Sequence, residues 1–359
     1  MKLKTILYIF AGLAIVLVLF RFIAVDYWWV RMFDFPHVQF TVLTIIAFLT
    51  YFIRFDFKSK SDYAVAFMLI ACVVFQAVKI YPYTPLAPHS IKDSADSLNV
   101  DKLSLYTANV LQDNKDRSKL LNTIKNTDKD VLLFMETDKS WMEAIRSVLP
   151  EGYTYRVEYP LDNTYGMLLY SKKELIDAEV KFQVHDSIPS IHSKLVLDSG
   201  VAVQLFAIHP TPPMPMHNPK STDRDAEMML IALKSHERTL PVIVMGDFND
   251  VAWSQTTLLF QQVSGLLDPR KGRGFFNTYN ADSWVMRWPL DHLFLSPEFR
   301  VVELKVGEDI NSDHFPMEAI LSFEPEITEE QIPDEPTEEQ LKNAKDQIEN
   351  KYLEDQDGD

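Results

Sequence analysis

The chain is 359 residues long, carries a formal net charge of −16 and contains a single cysteine, Cys72. This length accommodates one large domain with additions at either end. The charge is uneven: the net charge is +4 over residues 1–94, −9 over residues 95–323 and −11 over residues 324–359. One cysteine excludes an intramolecular disulfide. The ten glycines form neither a phosphate-binding loop nor a dinucleotide-binding fingerprint, so the composition excludes both of these nucleotide sites.

Three apolar stretches occupy the first segment. They cover Thr5–Val25, Val38–Ile53 and Tyr63–Val78. About 20 helical residues cross the ~30 Å hydrocarbon core of a bilayer, so we expect residues 1–82 to form three transmembrane helices. A cleaved signal peptide is the alternative for the first stretch, and buried core helices are the alternative for the other two.

The basic residues of the first segment predict its orientation in the membrane. Two lysines precede the first stretch, and three basic residues, Arg54, Lys58 and Lys60, separate the second stretch from the third. Both regions should face the cytoplasm, because cytoplasmic loops are enriched in Lys and Arg. Three spans then place the rest of the chain on the non-cytoplasmic side. This remaining part of the chain begins with a stiff, Pro-containing linker over residues 83–100.

The pattern changes at residue 101. Short apolar runs alternate with amphipathic stretches up to residue 323, which predicts an α/β domain of sheets covered by helices. The predicted strands are Leu103–Val110, Val131–Glu136, Met167–Tyr170, Leu195–Leu197, Val201–Ile208, Val242–Gly246, His292–Leu295 and Met317–Phe323, and the predicted helices are Ser118–Asn126 and Ser221–Leu240. Polar residues lie at or just beyond the ends of these strands, where α/β domains bind ligands.

Each of these polar residues is ambiguous on its own. Glu136 ends an apolar strand, where a carboxylate is more often a solvated turn residue than a metal ligand. Asp247 and Asn249 follow another strand through a glycine, although Asp and Asn are also ordinary turn formers. His209 is followed by prolines that would fix a loop histidine, and the short Ser-Asp-His motif ending at His314 is weak by itself.

Taken together and in order, the motifs around these residues resemble those of the endonuclease/exonuclease/phosphatase superfamily of metal-dependent phosphoesterases. The motifs are Thr107-Ala-Asn-Val, Phe134-Met-Glu-Thr, Tyr165-Gly-Met-Leu-Leu-Tyr-Ser, Ile208-His-Pro, Gly246-Asp-Phe-Asn, Leu290-Asp-His-Leu-Phe-Leu-Ser and Ser312-Asp-His. The resemblance covers residues 101–323 and implies a catalytic domain. It also implies that this domain is a four-layered α/β sandwich, with two mixed sheets packed face to face and helices outside.

The resemblance also implies a divalent metal ion. Glu136 would be the principal ligand, with Asn109 and Asp313 nearby. Hard oxygen ligands of this kind suit Mg²⁺ or Mn²⁺.

The remaining residues would act on the phosphoester. By resemblance, Asp247 would orient or deprotonate the attacking water, and Asn249 would donate to a phosphoryl oxygen. Asp291 would pair with His314 and raise the pKa of its imidazole, so that the cation stabilises the charge of the transition state. His209 would face the phosphate.

The substrate stays open at this level. Relatives of this kind act on nucleic acid, phospholipid head groups or small phosphates, and a non-catalytic binding module that kept the fold is a further alternative. The acidic charge of residues 95–323 argues against a broad nucleic-acid surface, although Lys271, Arg273 and Arg287 could form a local basic patch. An apolar group near this patch is either a core loop or a membrane- or substrate-facing rim; it consists of Phe275, Phe276, Trp284, Met286 and Trp288.

The tail over residues 324–359 is acidic and has few apolar residues. This composition predicts a disordered, solvating segment. No motif indicates a particular protein partner, so the expected partners are the phosphoester substrate and the membrane.

We predict that a reporter active only in the cytoplasm stays silent when it is fused to the C-terminus of the chain. The same reporter inserted after Lys58 should be active, because the basic residues hold that loop in the cytoplasm. Reporter activity in intact cells measures both fusions. The reverse pattern would place the catalytic domain in the cytoplasm.

Overall fold

The N-terminal part of the chain is a bundle of helices. The structure, a computed structural model, describes residues 2–23, 26–94, 101–215 and 218–357. The helices of this part are α1 (Lys2–Leu19), α2 (Trp28–Arg31), α3 (His37–Tyr51) and α4 (Lys60–Ile80). Three of them, α1, α3 and α4, are long and apolar enough to cross a membrane. Ala11, Ala14 and Ala47 are buried where these helices meet, since small side chains let helices approach closely.

The segment after α4 lies against the α/β domain. The Tyr83 hydroxyl donates to the carbonyl of Ala252 at 2.6 Å, and Ile91 is fully buried in the domain core. Asp93 pairs with Arg273. The expectation of a stiff spacer therefore differs from the structure over residues 83–94, because apolar side chains between the prolines find a surface to pack on. Residues 95–100 lie outside the described part of the chain.

Two mixed sheets form the centre of the α/β domain, which spans residues 101–323. In the first, the strand order is β10-β11-β1-β2-β4-β3, and in the second it is β5-β6-β7-β8-β9. The pairs β1–β2 and β7–β8 are parallel, and the other neighbours are antiparallel. The strands are β1 (Asp101–Asn109), β2 (Val131–Met135), β3 (Tyr155–Tyr159), β4 (Met167–Ser171), β5 (Leu175–Lys181), β6 (Ser190–Val196), β7 (Ala202–Ala207), β8 (Val242–Asp247), β9 (Asp291–Leu295), β10 (Phe299–Val306) and β11 (Met317–Phe323).

The two sheets pack face to face, and helices cover their outer faces. Leu105 and Leu133 of the first sheet meet Leu205 and Ile243 of the second in one buried cluster. Two helices cover the first sheet and two cover the second; they are α5 (Ser118–Lys125) and α6 (Lys139–Val148), then α7 (Thr222–His236) and α8 (Gln255–Ser264). This arrangement confirms the predicted four-layered α/β sandwich.

The expectation of a disordered tail requires a correction. Residues Glu338–Asp357 form a helix, α9, that packs on α7. Leu341, Ala344 and Ile348 recur at helical spacing and face the apolar cluster under α7, where Ala344 is fully buried. Lys351 pairs with Asp223 of α7 at 3.0 Å. The acidic composition obscured a narrow apolar stripe on one face of α9, and this stripe is sufficient to pack the helix against α7.

Candidate active site

Four strand ends meet at one edge of the sandwich. Asn109 ends β1 and Glu136 follows β2, which is parallel to β1. In the second sheet, Asp247 at the end of β8 pairs in register with Asp291 at the start of β9. The amide of Asn109 donates to Asp247 Oδ2 at 3.1 Å, so this contact joins the two sheets.

Backbone geometry fixes the direction of two of these side chains. Glu136 has φ 59° and Asn249 has φ 51°, in the left-handed region that costs non-glycine residues about 1 kcal/mol or more. Gly246 has φ 143°, and a Cβ atom there would lie 2.0 Å from the carbonyl oxygen of Ile208. A glycine is therefore required before Asp247 for this close approach.

The carboxyl group of Glu136 is half-buried, and its oxygens can accept further bonds. Asn109 Nδ2 donates to its Oε1 at 2.7 Å, and the backbone N–H of Gln112 makes a long contact of 3.4 Å to its Oε2. Burial raises the pKa of Glu136 to about 7; the hydrogen bond from Asn109 opposes this shift, and the charge of Asp247 adds to it. A positive ion beside Glu136 would be favoured.

A buried carboxylate–imidazole pair lies next to this carboxyl. His314 Nδ1 lies 2.8 Å from Asp291 Oδ2, and His314 Nε2 lies 3.6 Å from Asp247 Oδ2. Burial disfavours the charged imidazole, but Asp291 and Asp247 outweigh burial and raise the pKa of His314 to about 10. The hydroxyl of Ser312 accepts from the His314 backbone N–H at 3.1 Å and donates to the carbonyl of Asn109 at 2.8 Å. The pair is thus tied to β1.

The other predicted residues surround Asp247. His209 Nε2 lies 3.8 Å from Asp247 Oδ2, and burial lowers the pKa of His209, so its imidazole is neutral. The backbone N–H of Asn249 donates to Asp247 Oδ1 at 2.9 Å, and its side-chain amide donates to the carbonyl of Pro210 at 3.0 Å. Burial raises the pKa of Asp313 and of Asp247.

These side chains border a cavity of about 450 Å³. Glu136, Asp247, Asn249, Asp313 and His314 line it. Asn109, Asp291 and His209 lie behind the lining and contact its members. The structure therefore brings all eight predicted polar residues around one cavity.

Comparison with known proteins identifies the family. The model of the Endonuclease/Exonuclease/phosphatase family matches residues 97–314. The chain belongs to this family. No curated protein matches the chain.

Solved structures of this family share the fold. One is an endonuclease/exonuclease/phosphatase family protein from Bacteroides thetaiotaomicron, with a TM-score of 0.51 and 20% identity, covering 64% of this chain and 98% of that chain. Another is D. rerio TDP2 complexed with single strand DNA product, with a TM-score of 0.51 and 16% identity, covering 61% of this chain and 98% of that chain.

Two arrangements in this family member could hold a metal ion. One is the set Asp247, Asp291 and His314, whose ligand atoms lie within 4.8 Å of one another. The other is centred on Glu136 and Asp313, which face the cavity. In the first set, Asp291 and Asp247 raise the pKa of His314 to about 10, and a protonated imidazole has no lone pair to offer a metal ion. The chemistry of the oxygen-only set fits a hard divalent cation better.

Several residues that shape the cavity were not expected from the sequence. Trp28, Arg31, Met32 and Phe35 line it, although they lie between the first two apolar helices. The tryptophans of that stretch were the available signal, but they indicate an interfacial belt equally well.

The expected basic patch does not form as one surface. Arg273 bonds to Asp93 and to the carbonyl of Ile91, and Arg287 bonds to the carbonyl of Ala281 at 3.0 Å. Lys271 lines a separate cavity. The guanidinium groups of Arg273 and Arg287 thus have different partners.

Proposed function

We propose that the chain is a divalent-metal-dependent phosphoesterase, attached to a membrane by its three N-terminal apolar helices. It would hydrolyse a phosphodiester or phosphomonoester by in-line attack of water. One observation carries the proposal: the buried His314–Asp291 pair and the Asn109–Glu136 pair converge on a single cavity. Phosphoryl transfer needs positioning and charge stabilisation more than covalent chemistry, and this cavity offers both.

The carboxyl groups of the cavity suit a cation. Glu136 would hold Mg²⁺ or Mn²⁺, with Asn109 and Asp313 beside it. Burial raises the pKa of both carboxyls because it disfavours their charged forms, and a divalent cation beside them would stabilise those forms. When bound, the ion would supply charge stabilisation to the phosphoryl oxygens.

The remaining polar residues would act on the water and the phosphate. His314 is cationic across the neutral pH range, so it would stabilise negative charge on the phosphoryl oxygens. Asp247 would orient the attacking water and accept its proton. Asn249 uses one amide N–H on Pro210 and has a second for a phosphoryl oxygen. His209, being neutral, would donate a hydrogen bond without adding charge.

The catalytic domain would lie on the non-cytoplasmic side of the membrane. The charge distribution of the first 60 residues supports this placement, as does the position of the domain at the end of α4.

We expect Glu136→Gln to abolish most of the activity. The substitution keeps the shape of the side chain but removes the charge that attracts the metal. Turnover of bis-p-nitrophenyl phosphate should fall by roughly 100-fold or more and recover partly at high Mg²⁺. Glu143→Gln, on the exposed face of α6, is the matched control and should behave like the wild type. Equal rates in Glu136→Gln and wild type would remove Glu136 from the site, and an inactive wild type would favour a binding module.

Asp291 and His314 should act as one unit. Asp291→Asn should lower kcat by about 100-fold and His314→Ala by more, while the double variant should be little worse than His314→Ala. The activity of the wild type should fall as the pH rises towards about 10, where His314 loses its proton. In Asp291→Asn this alkaline limb should move to lower pH, because the carboxylate that stabilises the cation is gone. Multiplying losses with an unmoved alkaline limb would show that the two residues act independently.

A further inference from the structure

The cavity has two chemically different sides. The carboxyl and imidazole groups described above form one side. Apolar and aromatic side chains from two segments form an apolar wall in the rest of the lining: Trp28, Met32 and Phe35 lie between α1 and α3, and Met286 and Trp288 precede β9. Phosphate hydrolysis alone does not need this apolar wall.

The segment between α1 and α3, residues 26–37, is part of the catalytic domain's surface. The indole N–H of Trp253 donates to the carbonyl of Asp34 at 2.8 Å. The backbone N–H of Trp28 donates to the carbonyl of Pro219 at 2.8 Å, and the N–H of Ser221 donates to the carbonyl of Asp26 at 2.7 Å. Two main-chain bonds at the start of this segment and the side-chain bond from Trp253 near its end hold its part of the apolar wall in place.

The loop that carries Met286 contacts the start of α3. The side-chain amide of Gln39, in the first turn of α3, donates to the carbonyl of Val285 at 2.6 Å. The loop that carries this carbonyl exposes three large apolar side chains: Trp284 is 92% exposed, Val285 68% and Met286 44%. Apolar side chains exposed beside the end of a membrane-crossing helix are placed to enter the bilayer surface.

Arg31 adds a positive charge to the same wall. It lines the cavity and pairs with Asp26, and its guanidinium lies 3.9 Å from Asp225. These two carboxylates offset the charge of Arg31, so the apolar side chains are what distinguishes this wall from the rest of the cavity.

We propose that the substrate is an amphiphilic phosphoester taken from the membrane surface. Its phosphate would lie against Glu136 and His314, and the start of its hydrocarbon chain would lie along Trp28, Met32 and Trp288. Water adds a hydroxyl group to phosphorus, the bond from phosphorus to the leaving oxygen breaks, and the leaving alcohol takes the displaced proton. This assignment rests on the proposed phosphoesterase function and specifies the substrate class for the same cavity.

The test is a series of p-nitrophenyl n-alkyl phosphates with ethyl, butyl and octyl chains, hydrolysed by the detergent-solubilised full chain. All three share one leaving group and one phosphodiester, so they differ only in the alkyl chain. Each methylene that the wall removes from water should raise kcat/KM about fourfold. We expect a ratio of octyl to ethyl kcat/KM of roughly tenfold or more in the wild type.

Two substitutions in the wall give the decisive comparison. Met32→Ser and Met286→Ser replace half-exposed side chains, 52% and 44% exposed, so folding should survive both changes. Each should reduce the octyl-to-ethyl ratio several-fold. Partition of the octyl ester into micelles cancels, because it is the same for every variant. Val302→Ser is the control: this side chain is 42% exposed on β10 and should leave the ratio unchanged.

The possible outcomes distinguish the proposed amphiphilic substrate from the proposed phosphoesterase function. Hydrolysis at a rate independent of chain length, or a ratio that Met32→Ser and Met286→Ser leave intact, would overturn the amphiphilic substrate while the phosphoesterase function stands. A wild-type chain that hydrolyses neither these three esters nor the monoester p-nitrophenyl phosphate would overturn both.

Discussion

Four carboxyl groups, those of Glu136, Asp247, Asp291 and Asp313, converge where the two sheets of the sandwich meet. Burying like charges together is unfavourable, and burial raises the pKa of Glu136, Asp247 and Asp313. His314 offsets part of this repulsion from its position between two of the carboxyls. The left-handed backbone at Glu136 and the close approach at Gly246 maintain this unfavourable cluster, which the proposed divalent cation would stabilise.

The segment between α1 and α3 also shapes the cavity that holds these carboxyl groups. A cavity with this charge also presents an apolar wall, and residues 26–37 supply much of it. Trp253 and Asp34 join that segment to the domain, as does the aromatic pair Phe35–Trp288, whose ring centroids lie 5.6 Å apart. The chain between the first two long N-terminal helices therefore shapes the cavity beside the carboxyl and imidazole groups. A fragment that starts at residue 95 lacks this wall.

The sequence predicted the centre of the fold better than its edges. Strands β2 and β8 contain continuous apolar runs and were recognisable, whereas β3 and β5 are edge strands with mostly exposed side chains and give no apolar run. The eight polar residues could be predicted because they lie at or near strand ends, which the local sequence reveals. The fold brings these residues around one cavity. The apolar wall depends on contacts between residues far apart in the chain, such as Trp28 with Pro219. Local patterns carry no signal for such contacts.

The most direct test of the charge cluster is Mn²⁺ binding to the full chain, followed by electron paramagnetic resonance of the free ion. The account predicts one saturable site that is lost in Glu136→Gln. The same site should be retained, or bind more tightly, in His314→Ala, because that change removes a positive charge beside the ion. The opposite pattern, with binding kept in Glu136→Gln and lost in His314→Ala, would place the ion on Asp247, Asp291 and His314 and contradict the central claim.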